Sequence, residues 1–229
     1  MRLEGRQLSD IGCLPDKKSD TRDYLTGTFI GIGMMVSTTF IIKSLTGFRW
    51  EFNPAFKPFS LVTLLVATFG SVYAQELAFR GYPFQLLLKK YGVWPAQSII
   101  AVLFGCMHLM ERPLVFSEAL LLIFTTGIGS LFYGMAYIKT GRLALPVALH
   151  LGWNYCQHLL PRHPVQNGPG IWIIDPYSFD QAEFGFLTWT IPYTIIIILF
   201  YAAVSFIYGK RKTLTTSAVK ARHPSPDNP

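Results

Sequence analysis

The sequence predicts an all-α fold, a polytopic membrane helix bundle of about six transmembrane helices with a polar site inside the membrane. Hydrophobic residues make up 51% of the chain and charged residues only 14%, against roughly 25% charged in soluble domains. Apolar stretches near the ~20 residues that a helix needs to cross a bilayer recur along the chain. The basic residues gather on one side of those stretches.

Met1 to Asp23 is polar and mixed in charge, and it lacks the apolar core and small-residue cleavage site of a secretory signal. It is predicted to be a cytoplasmic segment (1–23), which leaves the first apolar stretch, Tyr24 to Leu45, as a retained span. That span and the loop behind it fill 24–58. Phe59 to Phe79, Trp94 to Met110, Ser117 to Ile138 and Leu143 to Leu160 are the spans of a core at 59–160. A loop rich in Pro and Gly (161–184) leads to the last span at 185–208. The tail (209–229) is polar, ends in Pro-Ser-Pro-Asp-Asn-Pro, and reads as disordered.

A net charge of +7 and a pI near 9.4 could suggest nucleic acid, but the placement of the basic residues assigns them to topology. With both termini cytoplasmic, the inner segments hold Arg2, Arg6, Lys17, Lys18, Arg22, Lys89, Lys90, Lys139, Arg142, Lys210, Arg211, Lys212, Lys220 and Arg222. The outer side holds Lys43, Arg49, Lys57, Arg112 and Arg162. The positive-inside rule therefore places the chain in the cell membrane as a multi-pass protein. Its expected partners are the lipid bilayer and a membrane-associated peptide or protein, not nucleic acid. Cys13, Cys106 and Cys156 show no paired spacing, which gives neither a disulfide framework nor a thiolate zinc site.

Arg80 remains inside the apolar zone, four residues from Glu76. That spacing puts guanidinium and carboxylate on one helix face, and intramembrane charge costs several kcal/mol unless partnered. Tyr82 to Leu88 stays apolar, so the second helix is predicted to run on through Pro83 with a kink. Glu76 then lies ~20 Å from the inner boundary at Lys89 and Lys90. His108 lies ~21 Å above Trp94 and His150 ~12 Å above Arg142, a mismatch that tilt absorbs. Asn154 follows His150 by one turn on the same face. Each group alone also fits an ion pair or hydrogen bond between helices. Together they supply the carboxylate, imidazoles and amide that hydrolysis of an amide requires.

Three segments carry a resemblance. Gln75-Glu76-Leu77-Ala78-Phe79-Arg80-Gly81, Phe104-Gly105-Cys106-Met107-His108 and His150-Leu151-Gly152-Trp153-Asn154 resemble, in order and spacing, the motifs of the CAAX protease and bacteriocin-processing (CPBP, or Abi) family of intramembrane proteases. The resemblance implies an endopeptidase in which a glutamate and His108 activate water while His150 and Asn154 stabilise the oxyanion, with Arg80 and Phe104 in support. It leaves open a metalloprotease and a glutamate-only mechanism. A Zn ion at Glu76, His108 and His150 would have an incomplete ligand set.

The chain departs from the family pattern at one position, where Gln75 stands in place of the first glutamate, usually assigned as the base. An amide cannot take up the proton and is a poor metal ligand. Glu76 could assume the role, Gln75 could orient a water in a slower enzyme, or the chain could be a pseudoprotease acting as a membrane scaffold or regulator. A proton-coupled transporter would also use buried charge, but no inverted repeat or pair of broken helices is visible.

Overall fold

The structure is a computed structural model that describes residues 18–110, 115–163, 168–178 and 185–209. The expectations for Cys13, most of the N-terminal segment and the polar tail lie outside the described residues. Seven helices are present among them: α1 (Lys18–Thr46), α2 (Phe59–Arg80), α3 (Tyr82–Tyr91), α4 (Val93–Met107), α5 (Phe116–Thr140), α6 (Ala144–Leu159) and α7 (Phe186–Ile207). Two short strands, β1 (Trp50–Phe52) and β2 (Trp172–Ile174), follow α1 and α6. The fold is the expected all-α membrane bundle.

Four segments are long and apolar enough to cross a membrane: Lys18–Thr46, Phe59–Tyr91 taken through its break, Phe116–Thr140 and Leu187–Ile207. At 15 and 16 residues, α4 and α6 reach only about 22–24 Å by helical rise. Phe29, Val66, Val102, Ile198 and Phe206 are exposed on the bundle surface, as lipid-facing side chains must be when the surrounding solvent is itself apolar.

The second apolar stretch does not continue as one kinked helix. α2 stops at Arg80, Gly81 takes ψ −124°, and α3 begins with Pro83 in its first turn. The proline ring fits there because the first helical N–H groups have no intrahelical acceptor. Gly81 N–H still bonds the carbonyls of Glu76 and Leu77 at 3.2 and 3.1 Å. A Cβ on Gly81 would collide with the Leu77 carbonyl oxygen.

α1 packs along α6 more extensively than any other helix pair. A Cβ on Gly27 would lie 2.7 Å from the Ala148 Cβ, one on Gly31 would strike the Leu149 carbonyl oxygen, and one on Gly152 would strike that of Thr28. The close approach leaves Met34, Met35, Leu145, Leu149 and Trp153 in one core with Phe132 of α5 and Ile196 of α7. A second core gathers Val72, Phe84, Leu88, Ile100, Tyr137 and Val147 around α2 to α6. Between α5 and α6 the chain reverses at Gly141, whose φ of 68° is the left-handed conformation that ends many helices.

Both ends of the α1–α6 pair are tied. At one end Arg142 Nε meets Asp20 Oδ1 at 2.6 Å, and Tyr208 Oη donates to Asp23 Oδ1 at 3.0 Å. At the other, β1 pairs antiparallel with β2 in the register Trp50↔Ile174 and Phe52↔Trp172. Trp50 Nε1 donates to the Pro161 carbonyl at 2.8 Å, and Asn53 Nδ2 donates to those of Gly168 and Gly170 at 2.9 Å. The loop expected over 161–184 thus contributes a strand.

Candidate active site

Glu76 and Arg80 leave the last turn of α2 with no exposed surface. The guanidinium is held from two helices: Nη1 lies 3.2 Å from Glu76 Oε1, and Nη2 donates to the Ser130 carbonyl of α5 at 2.9 Å and to the Ser130 hydroxyl. A charge buried this deeply persists only with such partners. The pair is therefore an ionised unit anchored to α5.

His150 of α6, 3% exposed, completes the carboxylate's contacts, with Nδ1 2.8 Å from Glu76 Oε1. An ionised carboxylate can only accept, so Nδ1 carries the proton and Nε2 is the ring's other nitrogen. The imidazole stacks on Tyr133, centroids 4.6 Å apart and planes 16° from parallel. Phe104 meets it edge to face at 5.9 Å. Arg80 Cζ lies 4.7 Å from the centroid of Phe104 and 5.6 Å from that of Tyr133, so the aromatic rings that fix His150 also accommodate the guanidinium.

His108 sits where α4 passes into a short 3₁₀ turn, His108–Met110. Its Nδ1 donates to the Phe104 carbonyl at 2.8 Å, and its ring lies 4.8 Å from that of Phe104. Phe104 thus stands between the two imidazoles. Asn154 is half-buried one turn beyond His150. Gln75 Nε2 donates to Ser71 Oγ at 3.0 Å, while Gln75 Oε1 and Glu76 Oε2 are buried without a hydrogen-bond partner. Among the described residues no three His, Cys, Asp or Glu side chains come together as a metal-binding group. His150 Nδ1 is engaged by Glu76 and His108 Nδ1 by the Phe104 carbonyl, which leaves Nε2 as the remaining nitrogen of each ring.

The geometry brings Glu76, Arg80 and His150 into direct contact and links His108 to them through Phe104. Ser130 and Tyr133 belong to the same assembly, although no motif marks them. The signal available for both was a hydrogen-bonding side chain in an apolar span, which packing or back-bonding to the helix accounts for equally well.

A polar cluster of this kind, in a bundle of apolar helices, is the setting for chemistry on a membrane-associated chain. No curated protein and no solved structure matches the sequence. Residues 57–156 match the family model described as Type II CAAX prenyl endopeptidase Rce1-like, a segment that contains Gln75, Glu76, Arg80, His108, His150 and Asn154. That core is thus similar to the Rce1-like CAAX endopeptidases, a membrane protease family consistent with the CPBP motifs.

Proposed function

We propose that the chain is an intramembrane endopeptidase that hydrolyses a peptide bond of a membrane-associated protein or peptide, using water activated by carboxylate and imidazole groups. The observation that carries this reading is the buried contact of His150 with Glu76 at 2.8 Å. An imidazole fixed against a carboxylate is a proton-transfer unit in search of a substrate. Asn154, one turn along α6, supplies N–H groups for the oxyanion that forms when water adds to the carbonyl carbon. His108 helps to orient the water. On this reading the protein lies in the cell membrane with both termini cytoplasmic, and the match of its core to CAAX endopeptidases supports a CAAX-type substrate.

Hydrolysis of a membrane-tethered peptide by the purified protein in liposomes tests the reading. Glu76→Ala, His108→Ala and His150→Ala are each expected to abolish cleavage while the helical content and detergent-monodisperse state persist. Activity that survives all three changes would refute the assignment.

Gln75 favours a second reading, a pseudoprotease that holds a partner in the same site as a scaffold or regulator. It expects no hydrolysis from the wild-type chain and none from Gln75→Glu. A large gain in the Gln75→Glu variant would instead mark a lapsed enzyme.

A further inference from the structure

We propose that in this chain the base that activates water is His150 through Nε2, with Glu76 as the positioning residue that holds the imidazole in the required tautomer. The assignment rests on the proteolytic reading above and deepens it. It moves the proton-accepting role from residue 75 of α2 to residue 150 of α6.

The side chain at 75 cannot serve. Its amide takes up no proton, and its nitrogen is already committed to Ser71 Oγ at 3.0 Å. Glu76 is a carboxylate, but Oε1 is occupied by His150 and Arg80 together, and Oε2 is buried. A donor at Nδ1 determines what the other nitrogen offers: neutral His150 presents a lone pair at Nε2, on the side of the ring away from the carboxylate. A ring arranged to accept at Nε2 is a base, whereas an oxyanion would need a donor there. The stack of Tyr133 at 4.6 Å and the edge of Phe104 at 5.9 Å prevent the ring from turning over to exchange its nitrogens. Asn154 is left as the oxyanion's donor.

The step balances. Water's oxygen forms a bond to the carbonyl carbon as one water proton passes to His150 Nε2, and the carbonyl π pair moves onto its oxygen. Glu76 stabilises the imidazolium that results. The oxyanion then reforms the carbonyl as the C–N bond breaks, and the Nε2 proton goes to the departing nitrogen. One water is consumed, and a carboxylic acid and an amine are released.

The test compares kcat and KM for a membrane-tethered peptide in proteoliposomes across wild type, His150→Gln, Glu76→Gln, the double variant and Gln75→Glu. Glutamine at 150 can donate to an oxyanion but cannot accept a proton, so it separates the two roles. His150→Gln and Glu76→Gln are each expected to lower kcat at least ~100-fold with KM unchanged, in line with the usual contribution of general acid–base catalysis. The double variant should be no slower than the slower single, since both changes disable one unit. His150→Gln within about tenfold of wild type would overturn the proposal, because a donor would then suffice. An inactive wild type that cleaves once Gln75→Glu is introduced would also overturn it by placing the base at 75, while leaving the proteolytic site intact. If neither wild type nor Gln75→Glu cleaves, the proteolytic reading fails and this one with it. Should His150→Gln fail to fold, His150→Gly with added imidazole replaces it. A rate that rises with imidazole supports the base role, and a rate that does not rise overturns it.

Discussion

Glu76 Oε1 is shared between two donors from different helices, Arg80 Nη1 at 3.2 Å and His150 Nδ1 at 2.8 Å. The position of that one oxygen therefore decides the orientation of the imidazole. Tyr133 fixes the remaining freedom by stacking, a contact worth about 0.5–1.5 kcal/mol beyond burial. Tyr133→Ala is expected to lower kcat about two- to tenfold, the rate equivalent of that energy, whereas Tyr133→Phe keeps the ring and should stay near wild type. A loss in the Phe variant equal to that in the Ala variant would show that the hydroxyl, not the stack, matters. The Glu76–Arg80 pair was legible because a spacing of four in an apolar helix permits one geometry. The contact of His150 with Glu76 was less so, since depth counting set the two about 8 Å apart along the membrane normal. Helix tilt and the ending of α2 at Arg80 are long-range outcomes that no local pattern encodes.

At the scale of elements, small residues decide how near α1 and α6 come. Gly31→Leu would drive a side chain into the Leu149 backbone and is expected to cost about 1–3 kcal/mol, the usual penalty of overpacking, read as a lower thermal midpoint in detergent. Gly33→Ala on the same helix meets only Phe200 at 3.6 Å, an ordinary contact, and should leave the midpoint unchanged. Equal losses in both would refute the role of close approach, since helix propensity alone favours Ala and Leu over Gly. On α5 the missing Cβ of Gly134 makes room for Gln97 Oε1. The α2–α3 break was half readable: Pro83 announced a disturbance, but the departure of Gly81 to ψ −124° depends on how α3 docks against α4. The strand pair was not readable. Three residues carry too little alternation to declare a strand, and β1 and β2 are joined by more than a hundred residues of intervening chain.

For the whole molecule, composition and apolar length gave the class of fold because a bilayer forces every spanning backbone to satisfy its own hydrogen bonds. They could not show that α4 and α6 fall short of a full span, since the neighbouring apolar residues of loops and turns extend each run. The proposed topology has both termini on the cytoplasmic side, and the four full-length spans are an even number, as it requires. Tags at either end are therefore expected to be protected together in sealed right-side-out cells and cleaved together in inverted vesicles. Tags exposed from opposite sides would refute that topology.

Asp20 bound to Arg142 at one end, and Trp50 to Pro161 with the β1–β2 pairing at the other, pin α1 and α6 into a double-ended strut. A wall pinned twice yields only if both fastenings release together. Since α6 carries His150, the imidazole is mounted on a helix fastened at both ends. The carboxylate's helix is held differently, since α2 and α4 meet through the edge-to-face rings of Phe79 and Phe104 at 5.2 Å. The two partners of the buried contact thus ride on unlike mounts, the carboxylate on a helix joined to its neighbour by rings and the imidazole on one pinned at both ends.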